Sequence, residues 1–369
     1  MQLLSTLAAL AAAATVASAG IQQQCNAEEA SVRKEWGSLT PDEQLGYIDA
    51  VWCLRSLPSR LPTEVYPGVQ DRVDDFVATH INLTMVIHRN APFLPWHRHY
   101  IHLWETALHE ECGYNGTVPY WNWSQNSNLY TNPLFDTTQS PESSLSLSGD
   151  GAHIAPTPSD PDPDPDPGLD FAPSHGGGCV LDGPFKDWPV RMGPFSATQA
   201  YAYAPVPKNA FAHNPRCLQR NLDVARIQYY NNASVVESLL SASSIAVFQD
   251  LLDRTDPVTW QLAIGAHGGG HISVGPTLAD VFASPQDPVF MLHHGFIDRL
   301  WDAWQRSGSD ASEGTDRMKA LNGTTMYTNP PWAEEATLDT VMEFGVLGGP
   351  KRIGEVMDVR GGEYCYRYE

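Results

Sequence analysis

Two histidines four residues apart, in His267-Gly-Gly-Gly-His271, are the sharpest chemical feature of the sequence. On an α-helix that spacing stacks both imidazoles on one face, a turn apart, where both can reach a single metal ion. His294, closing Asp287-Pro-Val-Phe-Met-Leu-His-His294, can complete a set of three. His80, His88 and His97 form a second candidate set upstream. Imidazole suits copper, zinc, iron and nickel, and three nitrogen donors per metal leave coordination positions open, as catalysis requires. Neither set has a cysteine beside it and no Cys-x-x-Cys spacing occurs, which argues against a structural zinc site.

The surrounding patterns say how these side chains are positioned. A helix is expected from near Val69; Val73, Phe76, Val77 and His80 fall on one of its faces, so His80 points where the apolar stripe points. His88 follows in a loop with Asn90, Pro92 and Pro95. The next helix is expected from Trp96 to Gly113, with His97, Tyr100, Ile101, Trp104 and Leu108 along its stripe. Pro257 can open the helix carrying the His267 pair, and Pro288 lies near the start of the last long helix. There Phe290, His294, Ile297 and Trp301 share a face, whereas His293 points roughly 100° away. A single histidine on an apolar face is most simply a hydrogen-bonded core residue. Several converging in this way, one pair at i and i+4, favour a metal site. His99, His102, His109, His153, His175 and His213 do not fit the pattern and are expected at the surface or behind the ligands.

Elsewhere, Ala27 to Trp36 reads as helical. Thr40-Pro-Asp-Glu43 is a capping box opening a helix to about Leu57, and Ser234 to Asp253 carries a helical apolar pattern. After Gly308, turns and short strands are expected. Three consecutive glycines are costly in a helix, about 1 kcal/mol each relative to alanine. They mark either a space that must stay empty for a flat substrate or a tight packing point; the first is the expectation.

The chain has 369 residues and a net charge of −21, which disfavours nucleic acid or an anionic membrane as a partner. Residues 1–19 read as a secretory signal ending in Ala17-Ser18-Ala19, leaving 20–369 as one catalytic domain. Six cysteines (Cys25, Cys53, Cys112, Cys179, Cys217 and Cys365) suit three disulfides in a secreted protein, with the pairing open. Asn82, Asn115, Asn232 and Asn322 begin glycosylation sequons; Asn122 begins another inside an aromatic run and is expected to be unmodified. Residues 139–178 are rich in Ser, Pro and Gly, with Asp-Pro repeats, and are expected to form an acidic surface loop.

Phe93-Leu-Pro-Trp-His-Arg98 with Glu105, Pro119-Tyr-Trp-Asn-Trp123, and Asp287 to Trp301 together resemble the copper-binding regions of tyrosinases and catechol oxidases, most closely the short secreted fungal polyphenol oxidases. The resemblance runs from about Ala27 to Trp304, and the closing Tyr364 and Tyr366 look like the end of that family's core domain. It implies a mainly α fold: a four-helix bundle around a type-3 dicopper centre, with long loops and a few short strands. His80, His88 and His97 would hold one copper, and His267, His271 and His294 the other. Asp298 and Arg299 would orient ligand imidazoles through hydrogen bonds, and Phe290 would pack against the copper pair. Small phenols would be oxidised with O2 by what is expected to be a monomer, catechols leaving as o-quinones.

Four departures from the family pattern refine this. Val86 stands where many fungal members have a cysteine bonded to the second histidine, so no thioether is expected at His88. Gly268 stands where efficient monophenol hydroxylases carry a water-holding Asn, and no Glu lies between Glu237 and Glu313; Gln261 or Asp256 could substitute as water holder or proton acceptor. Val281 replaces a bulky Phe of plant members, so with Gly268 and Ile272 the substrate pocket is expected to be open. The chain ends soon after Tyr366, and activity without proteolytic unmasking is expected. Catechol oxidation is therefore the leading expectation. The alternatives are a tyrosinase with full monophenolase activity and a haemocyanin-like O2 carrier.

Overall fold

The computed structural model describes residues 25, 28–140, 145–155, 175–195, 206, 209–253, 264–308 and 316–369. Helix α1 (Pro41–Ser56) begins where its sequence demands: Thr40 accepts from the Glu43 amide and the Glu43 carboxylate accepts from Thr40, with Pro41 in the first turn. Helix α2 (Arg72–Ile87) is capped by Asp71 and buries Val73, Phe76, Val77 and His80. Its first turn also buries Asp74 and Asp75, which pair with Arg55 at 3.0 Å and Arg72 at 2.7 Å. Helix α3 (Phe93–Cys112) stops at Gly113, whose φ of 66° supplies the left-handed exit.

The apolar pattern after Ser234 forms two helices rather than one. Asn232 caps α5 (Ala233–Leu240) and Ser244 caps α6 (Ile245–Leu252), while α4 (Val224–Tyr230) precedes both. Helix α7 (Ala266–Val274) carries the glycine run, and α8 (Val289–Ser307) follows Pro288. Pro257 and the start proposed for α7 lie outside the described residues. Helices α2, α3, α7 and α8 carry the six candidate histidines or directly precede them, around a core that includes Trp96, Trp121, Trp123, Trp301 and Trp304.

The described strands are short and come in two-stranded pairs, so the fold is mainly α. One pair overturns the helix expected over Ala27–Trp36. Ser31–Arg33 is extended and lies parallel to Tyr366–Tyr368, with Ser31 opposite Tyr366. A partner more than 300 residues away outweighs a local helical pattern. The ends are also joined by the disulfide Cys25–Cys365; Cys53–Cys112 ties α1 to α3, and Cys179–Cys217 closes the set.

The segment expected to be a surface loop, 139–178, is anchored at both ends. Leu147 and Ser148 are buried, with both carbonyls accepting from Arg220, and Gly151–His153 pairs with Gly177–Val180. Residues 156–174, with the Asp-Pro repeats, and the proposed signal at 1–19 lie outside the described residues. No described helix is long and apolar enough to cross a membrane.

Candidate metal centre

Six imidazoles meet at the centre of the four helices, and the sequence named all six. Four point Nδ1 at a main-chain carbonyl: His80 at Phe282 (2.7 Å), His88 at Thr84 (3.0 Å), His97 at Phe93 (2.8 Å) and His271 at Leu278 (2.7 Å). His267 points Nδ1 at Asp253 Oδ1, 2.8 Å away. An acceptor at Nδ1 fixes the proton there and leaves Nε2 as a bare lone pair. These lone pairs face one another. His271 Nε2 lies 3.0 Å from His267 Nε2 and 3.3 Å from His294 Nε2. His80 Nε2 and His97 Nε2 are buried with no protein partner. Three lone pairs turned inward without a donor are satisfied by a cation, and each cluster has the close spacing of ligand atoms that one metal ion needs.

Burial keeps the rings in the neutral, metal-binding form. It pushes His88 down to about 4 and holds His80, His97, His271 and His294 well below the ordinary histidine range, the neighbouring imidazoles adding to the effect. The two clusters abut: the His97 and His294 rings stack at 4.3 Å between centroids. Phe290 lies flat against His294 at 4.2 Å and meets His80 at 5.3 Å, a fully buried apolar floor beneath both sets.

His293 lies close enough to His267 and His271 to be mistaken for a ligand. Its nitrogens are both used. Trp123 Nε1 donates to Nδ1 at 3.0 Å, so the proton sits on Nε2, which donates to the His267 carbonyl at 3.1 Å. His293 is thus a brace between α8, α7 and the aromatic run, a role the sequence hid because Trp123 lies 170 residues away.

The three glycines divide their work, which corrects the single purpose expected of them. A Cβ on Gly269 would overlap Tyr230 and stand 2.6 Å from Asn231 Oδ1; one on Gly270 would strike the His293 ring, 2.6 Å from Nδ1. These two are packing points. A Cβ on Gly268 would meet only Ile264, at 3.5 Å, so Gly268 alone opens onto the pocket. That pocket is lined by His88, Arg89, Asp253, Ile264, His267, Gly268, His271, Ile272, Ala279, Val281, Ser284 and Tyr327. Ile272 and Val281 are where the sequence put them. A larger surface groove near Tyr114 and the Cys53–Cys112 bond contains no histidine.

Other expected roles move. Asp298 touches no ligand imidazole: its oxygens accept from Arg98 (2.6 Å), Tyr366 (2.7 Å) and Tyr368 (2.5 Å). Tyr364, two residues before Tyr366, lies 2.6 Å from Nδ1 of His99, which is buried. Arg299 donates to the Glu369 carbonyl at 3.2 Å and lies over Tyr120. Both residues face away from the histidines because α8 is crossed there by the closing strand. Asp253, which the sequence marked only as the end of a helical pattern, takes that role at His267. Burial alone would raise its carboxyl, but His267 and Arg89 hold it below the usual carboxylate range. Asp256 and Gln261 lie outside the described residues. Among the sequons, Asn82, Asn115 and Asn322 are exposed, whereas Asn232 serves as the cap of α5.

A family model described as the common central domain of tyrosinase matches residues 70–307. The chain is 88% identical over 369 residues, the full length of both proteins, to N-acetyl-6-hydroxytryptophan oxidase of Emericella nidulans. It is 45% identical over 364 residues to tyrosinase P of Aspergillus terreus, covering 97% of this chain and 98% of that one. The fold superposes on a polyphenol oxidase variant of Thermothelomyces thermophila with a TM-score of 0.79 at 35% identity, covering 94% and 90% of the two chains. The two histidine clusters fit a type-3 dicopper centre.

Proposed function

The chain belongs to the tyrosinase family of O2-dependent dicopper oxidoreductases, and from that premise we propose that it oxidises electron-rich phenols. N-acetylated 6-hydroxytryptophan is the first candidate, because the relative named for that substrate is 88% identical over its whole length. Catechols are the second, two of them giving two o-quinones while O2 becomes two waters. His80, His88 and His97 would hold one copper, and His267, His271 and His294 the other.

The observation that carries this reading is the set of inward-facing Nε2 atoms beside a largely apolar pocket onto which Gly268, alone of the three glycines, opens. Bound copper supplies O2 binding and accepts the electrons of the substrate. The chain does the rest. Ile264, Ile272 and Val281 give a flat ring an apolar slot, and Gly268 leaves its edge room to approach His267 and His271. Asp253 keeps the Nδ1 proton of His267 in place, so that Nε2 stays a donor to metal. An O2 carrier has no use for such an opening. We also propose secretion as a monomer, in keeping with three disulfides and the exposed sequons at Asn82, Asn115 and Asn322.

The test is O2 uptake by the copper-loaded protein with N-acetyl-6-hydroxytryptophan, a catechol, guaiacol and a simple monophenol in parallel. Rapid uptake is expected with the first two and a lag with the last. No uptake with any of them, at two coppers per chain, rejects an oxidase. Fast monophenol hydroxylation without a lag rejects the preference assigned to Gly268.

A further inference from the structure

Arg89 follows the candidate ligand His88 and stands in the wall of the substrate pocket beside His267 and Gly268. It is the sole lysine or arginine among the described residues that line the pocket. Its φ is 49°, a left-handed conformation that a side chain other than glycine adopts only when its surroundings enforce it. The side chain is 12% exposed, so it is reachable and yet largely shielded from water. Its Nη2 forms an ion pair with Asp253 Oδ1 at 4.0 Å, and that oxygen also accepts from His267 at 2.8 Å. A guanidinium has five donors in a fixed fork and can serve more than one acceptor. The protein as a whole carries −21, which repels anions. A carboxylate-bearing substrate therefore needs a local cation, and this pocket has one at its wall.

We propose that Arg89 receives the carboxylate of an aryl amino acid whose ring lies over the copper ligands, making this enzyme selective for N-acylated hydroxyaryl amino acids over neutral phenols. This rests on the hydroxyindole reading above. N-acylation removes the ammonium, so the substrate reaches Arg89 as a simple anion. The apolar walls of Ile264, Ile272 and Val281 suit the indole, and the anionic end sits at the one basic position.

The test compares N-acetyl-6-hydroxytryptophan with its methyl ester on copper-loaded enzyme. The wild type is expected to favour the acid by about tenfold or more in kcat/KM, the scale of one charge-assisted contact. R89Q should erase most of that preference, chiefly through KM, and R89K should restore part of it; copper content and circular dichroism report on folding. N-acetyltryptophan and its amide, used as inhibitors of catechol oxidation by the wild type, give a second measurement that needs no variant, and the acid should inhibit about tenfold more strongly. Equal kcat/KM for acid and ester in the wild type, or equal inhibition by acid and amide, overturns the role of Arg89 while leaving the oxidase reading intact. So does an R89Q variant that keeps the preference. Failure of both hydroxyindoles to consume O2, with catechol still oxidised, overturns the hydroxyindole reading itself.

Discussion

Asp253 Oδ1 lies 2.8 Å from Nδ1 of His267. Among the described candidate ligands, this is the one imidazole held by a carboxylate; His80, His88, His97 and His271 are held by main-chain carbonyls. A charged acceptor makes its imidazole a stronger donor to metal than a neutral one does.

Replacing Asp253 by Asn keeps the shape and removes the charge. In D253N, affinity for the copper at His267, His271 and His294 is expected to fall by roughly 10- to 100-fold. Chelator titration reads this as a biphasic loss of copper, one ion leaving early. A titration superposable on the wild type would contradict it.

The glycine run predicts opposite signs at neighbouring positions. G268A places its methyl 3.5 Å from Ile264 and gains helix propensity, so it should raise stability by about 0.5–1 kcal/mol. G269A and G270A must displace Tyr230 and the His293 ring, and each should lose on the order of 1–3 kcal/mol. Thermal denaturation of the metal-free proteins separates the two signs.

The adjacent histidines of α8 should part company in metal content. H294A and H271A are expected to retain one copper per chain, whereas H293A should retain two and lose stability, because Trp123 Nε1 and the His267 carbonyl lose their partner. Metal analysis of the three variants decides this; one copper in H293A would make it a ligand.

Acid should destabilise the metal-free protein in a defined window. His88 titrates near 6.5 when unfolded and at about 4 when folded. Below pH 6.5 the unfolded chain thus binds more protons, and stability drains as pH falls toward 4, at ~1.4 kcal/mol per pH unit for such a group. The other lowered ligand histidines act in the same direction. The Tm of the metal-free protein should fall steadily from pH 7 to pH 5, while copper-loaded protein resists. A flat metal-free profile would speak against the burial of these rings.

Asp298 should matter for stability far more than for metal binding. D298A leaves Arg98 in the interior without its carboxylate and leaves Arg33 with Glu105 alone, at a cost of about 3–5 kcal/mol. Copper stoichiometry of the folded fraction should stay at two.

What could be read from the sequence was what is local. The Thr40–Glu43 capping box and the stripe from Val73 to His80 follow from spacings within one helix, and each reappears in the structure. What could not be read lies between elements. Asp253 reaches His267 across the gap between α6 and α7, and no periodicity links the residue that ends one helix to the next helix's face. Gly269 and Gly270 looked like Gly268 because the reasons for them, Tyr230 and His293, come from other helices. Ser31–Arg33 is extended only because Tyr366–Tyr368 is there to pair with it.

That pairing, locked by Cys25–Cys365, two cysteines 340 positions apart in the sequence, has a mechanical meaning. Tension entering at Cys25 and leaving at Cys365 is carried by one covalent bond and bypasses the helices that hold the histidines. With the disulfide intact, the molecule should behave under tension as a short rigid link. Once it is reduced, the force passes through the closing strand to Asp298, one turn beyond His294 on α8, and the metal centre becomes part of the load path.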